Sequence, residues 1–255
     1  MASVSESEVK ELVKEHYAEV ARGTSSCCDD SCCSPKETKL YALEEVEGLP
    51  DEAVMASAGC GNPTAIGELK AGETVVDFGS GGGIDCFLAE RAVGSEGKVI
   101  GVDMTPDMVE LARSNAQKLG LSNVEFHLTE MEHTPIPDAS VDVIISNCVI
   151  NLAPDKDAVF KEAFRILKPG GRVYISDMLL VKDMPDEARA DMSNWVACLG
   201  GTEPKDVYFG RMRDAGFGDM EIISDKPWEG SETWASSVHS MNIKAFKPAY
   251  GVQLM

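Results

Sequence analysis

Basic charge is scarce in this chain. Its 255 residues carry 23 Lys and Arg against 43 Asp and Glu, a net charge of −20. Such a surface repels phosphate backbones and anionic lipid, so nucleic acid and membrane surfaces are not expected as partners. Long apolar runs are missing too: nothing approaches the ~18 consecutive apolar residues that a membrane span requires. The N-terminus, MASVSESEVK, has no basic segment leading into an apolar stretch, so a secretory signal is not expected. The expected location is therefore cytoplasmic, where thiols stay reduced. The four histidines, His16, His127, His133 and His239, form no i, i+4 pair or other ligand spacing.

Against these shortages stand eight cysteines, four of them within CCDDSCC, Cys27 to Cys33. A reducing compartment argues against a disulfide framework. Adjacent pairs lack the C-x-x-C spacing of structural zinc sites, and the loop contains no histidine. Thiols gathered in this way suit a softer ion, or thiol exchange with one.

Ahead of that loop, Ser5 to Arg22 reads as an amphipathic helix, capped by Ser5 or Ser7. Val9, Leu12, Val13, Tyr17 and Val20 lie on its apolar face, and Gly23 ends it. Asn62 reads as a helix N-cap with Pro63 at the first helical position. From Thr74 the chain alternates. TVVDFG, KVIGVDM, VEFHLT, VDVIISN and RVYISDML read as strands, and IDCFLAERAV, PDMVELARSNAQKLG and DKDAVFKEAFRILK as helices between them. Runs apolar at consecutive positions suit parallel strands buried on both faces. The expected fold is a doubly wound, mostly parallel α/β sheet with right-handed crossovers. Helical stretches follow around Arg189 to Cys198 and Pro204 to Ala215, then two more strands, DMEIISD and MNIKAFK.

The first strand enters VVDFGSGGGID, in which Asp77 precedes Gly79, Gly81 and Gly83 at alternate positions. Glycines there let the backbone approach a ligand closely at the carboxyl edge of the sheet. A dinucleotide fingerprint starting at Gly79 needs a small residue at position 84, where Ile84 stands; starting at Gly81 it meets Cys86. An acid two residues before the first glycine instead resembles motif I of the class I S-adenosylmethionine-dependent methyltransferases, which have a Rossmann-like fold. The resemblance implies that Asp77, with Gly79, Ser80 and Gly81, positions the methionine part of the cofactor. Asp103 ends the next strand, about 20 residues beyond the glycines, the spacing of an acid that binds a ribose diol; Met104 adjoins it. TEMEHTPIPDASVD resembles the adenine loop, with Glu130, Met131 and Glu132 as contacts. Asn147 ends the fourth strand beside the cofactor edge. Tyr17 matches tyrosines that fold over the methionine end in related enzymes, and it equally suits core packing beside Val13 and Val20.

Further stretches, SCCDDSCC, AGCGNP, SNCVINLAPDK and WVACLGG, make the chain similar to the arsenite methyltransferases. That resemblance implies trivalent arsenic bound by Cys60, Cys148 and Cys198, with one of Cys27, Cys28, Cys32 and Cys33, Cys28 or Cys32 first among them, as the redox partner of Cys60. It also implies a thiol reductant, thioredoxin or glutathione, as co-substrate. Cys86, within the helix after the glycine loop, reads as a small core residue. Two rivals are weighed: a methyltransferase for a small organic acceptor such as a quinone or sterol, and a non-catalytic arsenic-binding thiol protein. Neither needs both the acid-glycine loop and the three separated thiols. The expected organisation is an N-terminal helix with a cysteine-rich loop (1–60), a cofactor-binding domain (61–180), and a C-terminal segment (181–255) that forms a lid and completes the sheet. With no heptads and no evident apolar patch, the expected state is a monomer.

Overall fold

The computed structural model describes residues 5–24, 41–57, 62, 68–230 and 232–249. Cys27, Cys28, Cys32, Cys33 and Cys60 lie outside these residues, as does the helix expected after Asn62.

Helix α1 (Glu6–Ala21) begins with a reciprocal cap: the Glu8 N–H donates to Ser5 Oγ, and the Ser5 N–H donates to Glu8 Oε2 across 2.8 Å. Its valines Val9, Val13 and Val20 are buried. Two short helices follow, α2 (Leu43–Val46) and α3 (Asp51–Met55). The alternating region then forms β1 (Thr74–Phe78), α4 (Ile84–Val93), β2 (Lys98–Asp103), α5 (Pro106–Leu119), β3 (Val124–Leu128), β4 (Val141–Asn147), α6 (Lys156–Ile166) and β5 (Leu167–Leu180). Beyond it lie α7 (Asp186–Ala190), α8 (Met192–Val196), α9 (Lys205–Ala215), β6 (Gly218–Pro227) and β7 (Val238–Phe246).

All seven expected strands form, and they join one sheet in the order β3-β2-β1-β4-β5-β7-β6. The first five are parallel; β7 runs antiparallel to both β5 and β6. Neighbouring residues of one strand enter opposite cores. Val75, Val143 and Ile145 pack under α4 and α5 with Phe87 and Val109. Val76, Ile144 and Val173 pack under α6 and α9 with Phe160 and Met212. Both faces are therefore covered, which explains the continuous apolar runs.

Two local details differ from expectation. The third strand ends at Leu128, one residue before Thr129. The helical stretch around Arg189–Cys198 is two helices broken at Asp191, whose extended backbone lets its carboxylate cap α8 by accepting from the Ser193 N–H. Cys198 follows α8 in a left-handed turn rather than in its last turn. Among the described residues, no helix is long and apolar enough to cross a membrane.

Candidate functional site

The strand order reverses between β1 and β4, and ligands of open α/β sheets bind outside the strand carboxyl ends at such a point. There a cavity of about 910 Å³, its open mouth included, is walled by the loops after β1, β2, β3 and β4, by α1 and by Cys198.

The loop after β1 forms the floor. Gly79 and Ser80 donate their backbone N–H groups to the Val102 carbonyl at 2.8 and 3.0 Å, which pins the loop to β2. Gly81 has a φ of +48°, and a Cβ built there would meet nothing closer than 4.0 Å. Glycine at this position serves backbone conformation and leaves open space above the loop. The N–H of Gly81 donates to Asp103 Oδ2 (2.9 Å), and the N–H of Thr105 donates to Oδ1 (2.8 Å). Burial pushes the Asp103 carboxyl above its ordinary range, against these N–H groups, which favour the anion. The Thr105 hydroxyl and the Met104 N–H also bond this carboxylate, which holds it at the cavity edge.

Beneath the loop, Asp77 is buried at 1% exposure and does not reach the cavity wall. Its Oδ2 accepts from the Cys86 thiol at 3.4 Å, so Cys86 is a hydrogen-bond donor as well as a core residue. Burial, and the neighbouring Asp85 charge, push the Asp77 carboxyl well up. Asp85 does line the wall. It accepts from Tyr41 Oη at 3.0 Å and from Asn147 Nδ2 at 3.2 Å, and burial raises its pKa to about 6.

Helix α1 crosses the cavity and is tied down at several points. Lys10 Nζ lies 2.7 Å from Glu130 Oε2 and 2.8 Å from Glu132 Oε1, Arg22 pairs with Asp107, and Tyr17 Oη donates to the Val196 carbonyl at 3.2 Å. Tyr17 thus packs against the core and also lines the cavity.

Cys148 and Cys198 come together at the β4 side. Cys148 directly follows β4, with its N–H donating to the Ser176 carbonyl at 2.7 Å. The Cys198 thiol donates to the Cys148 carbonyl at 2.8 Å. A Cβ on Gly201 would lie 1.9 Å from the Asn151 carbonyl oxygen, so only glycine lets CLGG pack this closely on the segment after Cys148. Both cysteines are buried, line the cavity and share an apolar cluster with Met178, Leu152 and Leu199.

Of the residues expected from sequence, the cavity unites Tyr17, Gly79, Ser80, Gly81, Asp103, Met104, Met131, Glu132, Asn147, Cys148 and Cys198. Two expected residues are not part of the wall: Asp77 lies behind the loop, where it accepts from Cys86, and Glu130, paired with Lys10, lies outside it. Sequence reasoning missed Lys10, Ser57, Asp85, Thr105 and Met108. For Lys10 a signal existed: it precedes Tyr17 by two helical turns and so shares its face. Among the described residues, no group of three or more His, Cys, Asp and Glu is arranged to hold a metal ion.

The methyltransferase-domain family model matches residues 69–236. The chain is 41% identical over 266 residues to the arsenite methyltransferase of Halobacterium salinarum, covering 95% of this chain and 67% of that protein. It is 33% identical to the human arsenite methyltransferase, covering 79% of this chain and 56% of that one. The crystal structure of an arsenic(III) S-adenosylmethionine methyltransferase from Chlamydomonas reinhardtii superposes with a TM-score of 0.70 at 33% identity, covering 80% of this chain and 72% of that one. The chain thus spans between about half and two thirds of the length of these curated relatives.

Proposed function

The chain belongs to the arsenite methyltransferases, within the S-adenosylmethionine-dependent methyltransferases of Rossmann-like fold, and from that premise we propose that it methylates trivalent arsenic held by its own thiolates. The observation that carries the proposal is the meeting of Cys148 and Cys198, 50 residues apart, through a 2.8 Å contact in the wall of the glycine-loop cavity.

The cavity suits the cofactor on its own terms. Its wall holds three acids, Asp85, Asp103 and Glu132, against Lys10, which is already paired with Glu130 and Glu132. That balance favours a cationic guest. The buried Ser80 hydroxyl has no hydrogen-bond partner among the described residues, and Gly81 leaves open space beside its own backbone. Asp103 would hold the ribose diol, Met104, Met131 and Glu132 the adenine, and Gly79, Ser80, Gly81, Asn147 and Tyr17 the methionine part. When bound, S-adenosylmethionine supplies an electrophilic methyl group on a sulfonium sulfur.

The protein's own part is to capture and orient arsenic. Soft thiolates displace the oxygen or thiol ligands of arsenite, and Cys60 joins Cys148 and Cys198 as a third sulfur. Arsenic(III) has its own lone pair, so no general base is required. Orientation in a closed site can supply on the order of 7–11 kcal/mol. The As–C bond forms as the methyl–sulfur bond breaks, and arsenic is formally oxidised by two electrons. Two thiols, from thioredoxin or glutathione, return those electrons and become a disulfide; Cys60 with Cys28 or Cys32 relays them. A monomer suffices for this chemistry, and detoxification is its consequence.

The test is incubation with arsenite, methyl-labelled S-adenosylmethionine and a thiol reductant, followed by speciation of the products. Labelled methylarsenicals are expected. Label appearing in a quinone or sterol acceptor and none in arsenic would overturn the reading.

A further inference from the structure

The wall of the cavity carries an acid that the family reading leaves without a task. Asp85 sits in the first turn of α4, 5% exposed, with part of its surface on the cavity. Tyr41 Oη donates to Oδ1 at 3.0 Å, and Asn147 Nδ2 donates to Oδ2 at 3.2 Å. Both donors are neutral. No Lys or Arg among the described residues forms an ion pair with it, and Lys10, the cation of this wall, is held by Glu130 and Glu132. A buried carboxylate in such a place requires either a proton or a cationic partner.

Resting on the cofactor reading above, we propose that Asp85 is the subsite for the ammonium group at the amino-acid end of S-adenosylmethionine, with Tyr41 and Asn147 orienting its carboxylate. Topology supports the assignment. β1 lies between β2 and β4, so Asp103 at the end of β2 and Asn147 at the end of β4 flank the glycine loop on opposite sides. A ligand whose ribose meets Asp103 extends its amino-acid end across the loop toward Asn147 and the acid bonded to it. Chemistry selects between the two cationic centres of the ligand. The lone pairs left on Asp85 call for N–H donors, which an ammonium has and a sulfonium lacks.

The proposal carries a proton consequence. Among the described residues, the groups that face Asp85 are Asp77 on β1, Cys86 beside it on α4, Tyr41 and Glu45 from the segment before β1, and Asn147 on β4. None of these is a cation, and Asp85 with a pKa of about 6 is partly protonated in mildly acidic solution. An incoming ammonium stabilises the carboxylate, so binding near pH 6 expels a proton to buffer.

Calorimetry with two neutral thioethers tests this: S-adenosylhomocysteine, which keeps the ammonium, and 5′-methylthioadenosine, which lacks the amino-acid end. Asp85→Asn is expected to weaken S-adenosylhomocysteine by about 10- to 100-fold and to leave methylthioadenosine within about twofold. Proton release at pH 6, read from buffers of different ionisation heat, is expected in the parent and lost in the variant. Tyr41→Phe serves as the second variant: it should weaken S-adenosylhomocysteine at pH 6 and recover at pH 8. Equal losses for both ligands, or unchanged S-adenosylhomocysteine binding, overturns the proposal. A parent protein that binds neither adenosyl compound overturns the cofactor reading itself, and the Asp85 assignment with it.

Discussion

The Cys198 thiol donates a 2.8 Å hydrogen bond to the carbonyl of Cys148, and both residues hold a left-handed backbone with φ +63°. Residues other than glycine and asparagine rarely adopt that conformation, which costs a side chain with a Cβ about 1 kcal/mol or more. Such strain persists where the surroundings over-determine it, and it gathers at ligand sites. Here β4 and its Ser176 partner fix one residue, and the close packing of Gly201 on Asn151 fixes the turn that carries the other.

That geometry inverts the usual order of two substitutions. At most buried positions Gly is less stable than Ala. At position 198 Cys198→Gly relieves the left-handed strain, whereas Cys198→Ala keeps it, so Gly is expected to be the more stable by about 1 kcal/mol. Urea unfolding of the two variants without ligand reads the difference. Alanine as the more stable variant would deny the left-handed turn.

Loss of either thiol should separate arsenic capture from cofactor binding. Cys148→Ser and Cys198→Ser are expected to lower arsenite methylation by about 100-fold or more, since an ångström of misplacement alone can cost that much. Affinity for S-adenosylhomocysteine should stay close to the parent's. Parental methylation rates in either variant would end the thiolate mechanism.

For Asp103 the expectation reverses. Asp103→Ala removes the acceptor of the Gly81 and Thr105 N–H groups, which is also the carboxylate assigned to the ribose. Hydrogen bonds to a charged group are each worth about 1.5–3 kcal/mol, so S-adenosylmethionine should bind at least about tenfold more weakly. Unchanged affinity by calorimetry would remove Asp103 from the ribose.

These predictions draw unequally on what could be read before the fold was known. The seven strands were legible because strands buried on both faces leave unbroken apolar runs, and Asp103 was legible from its distance to the glycines. Asp85 was not, since an acid in the first turn of a helix ordinarily faces water and the positive helix end. Only the packing of Tyr41 and Asn147 against it turns it into a buried charge. The backbone at Cys148 and Cys198 was equally hidden, because neither left-handed position is itself a glycine. The break at Asp191 could have been suspected from DMSNW, where an acid precedes a serine by two residues, the spacing of a cap.

Outside the cavity, a buried acid should make stability depend on pH. Asp177 of β5 is fully buried; it accepts from Tyr208 Oη on Oδ2 and from the Met178 N–H on Oδ1, each at 3.0 Å. Burial raises its pKa from 3.8 to about 7, opposed by the Tyr208 hydrogen bond and by the charge of Lys156. Between those two values the folded state holds a proton that the unfolded chain has released. The stabilisation is therefore complete below about pH 4 and is lost as pH rises through about 7. Asp177→Asn keeps the shape and removes the titration, with its amide able to donate to the Tyr208 oxygen. The free energy of unfolding of the parent should fall from pH 5 to pH 8 by on the order of 2 kcal/mol more than that of the variant. Urea unfolding of both proteins at the two pH values measures this. Parallel pH dependences would mean that Asp177 is already ionised in the folded protein at pH 5, with Lys156 compensating it.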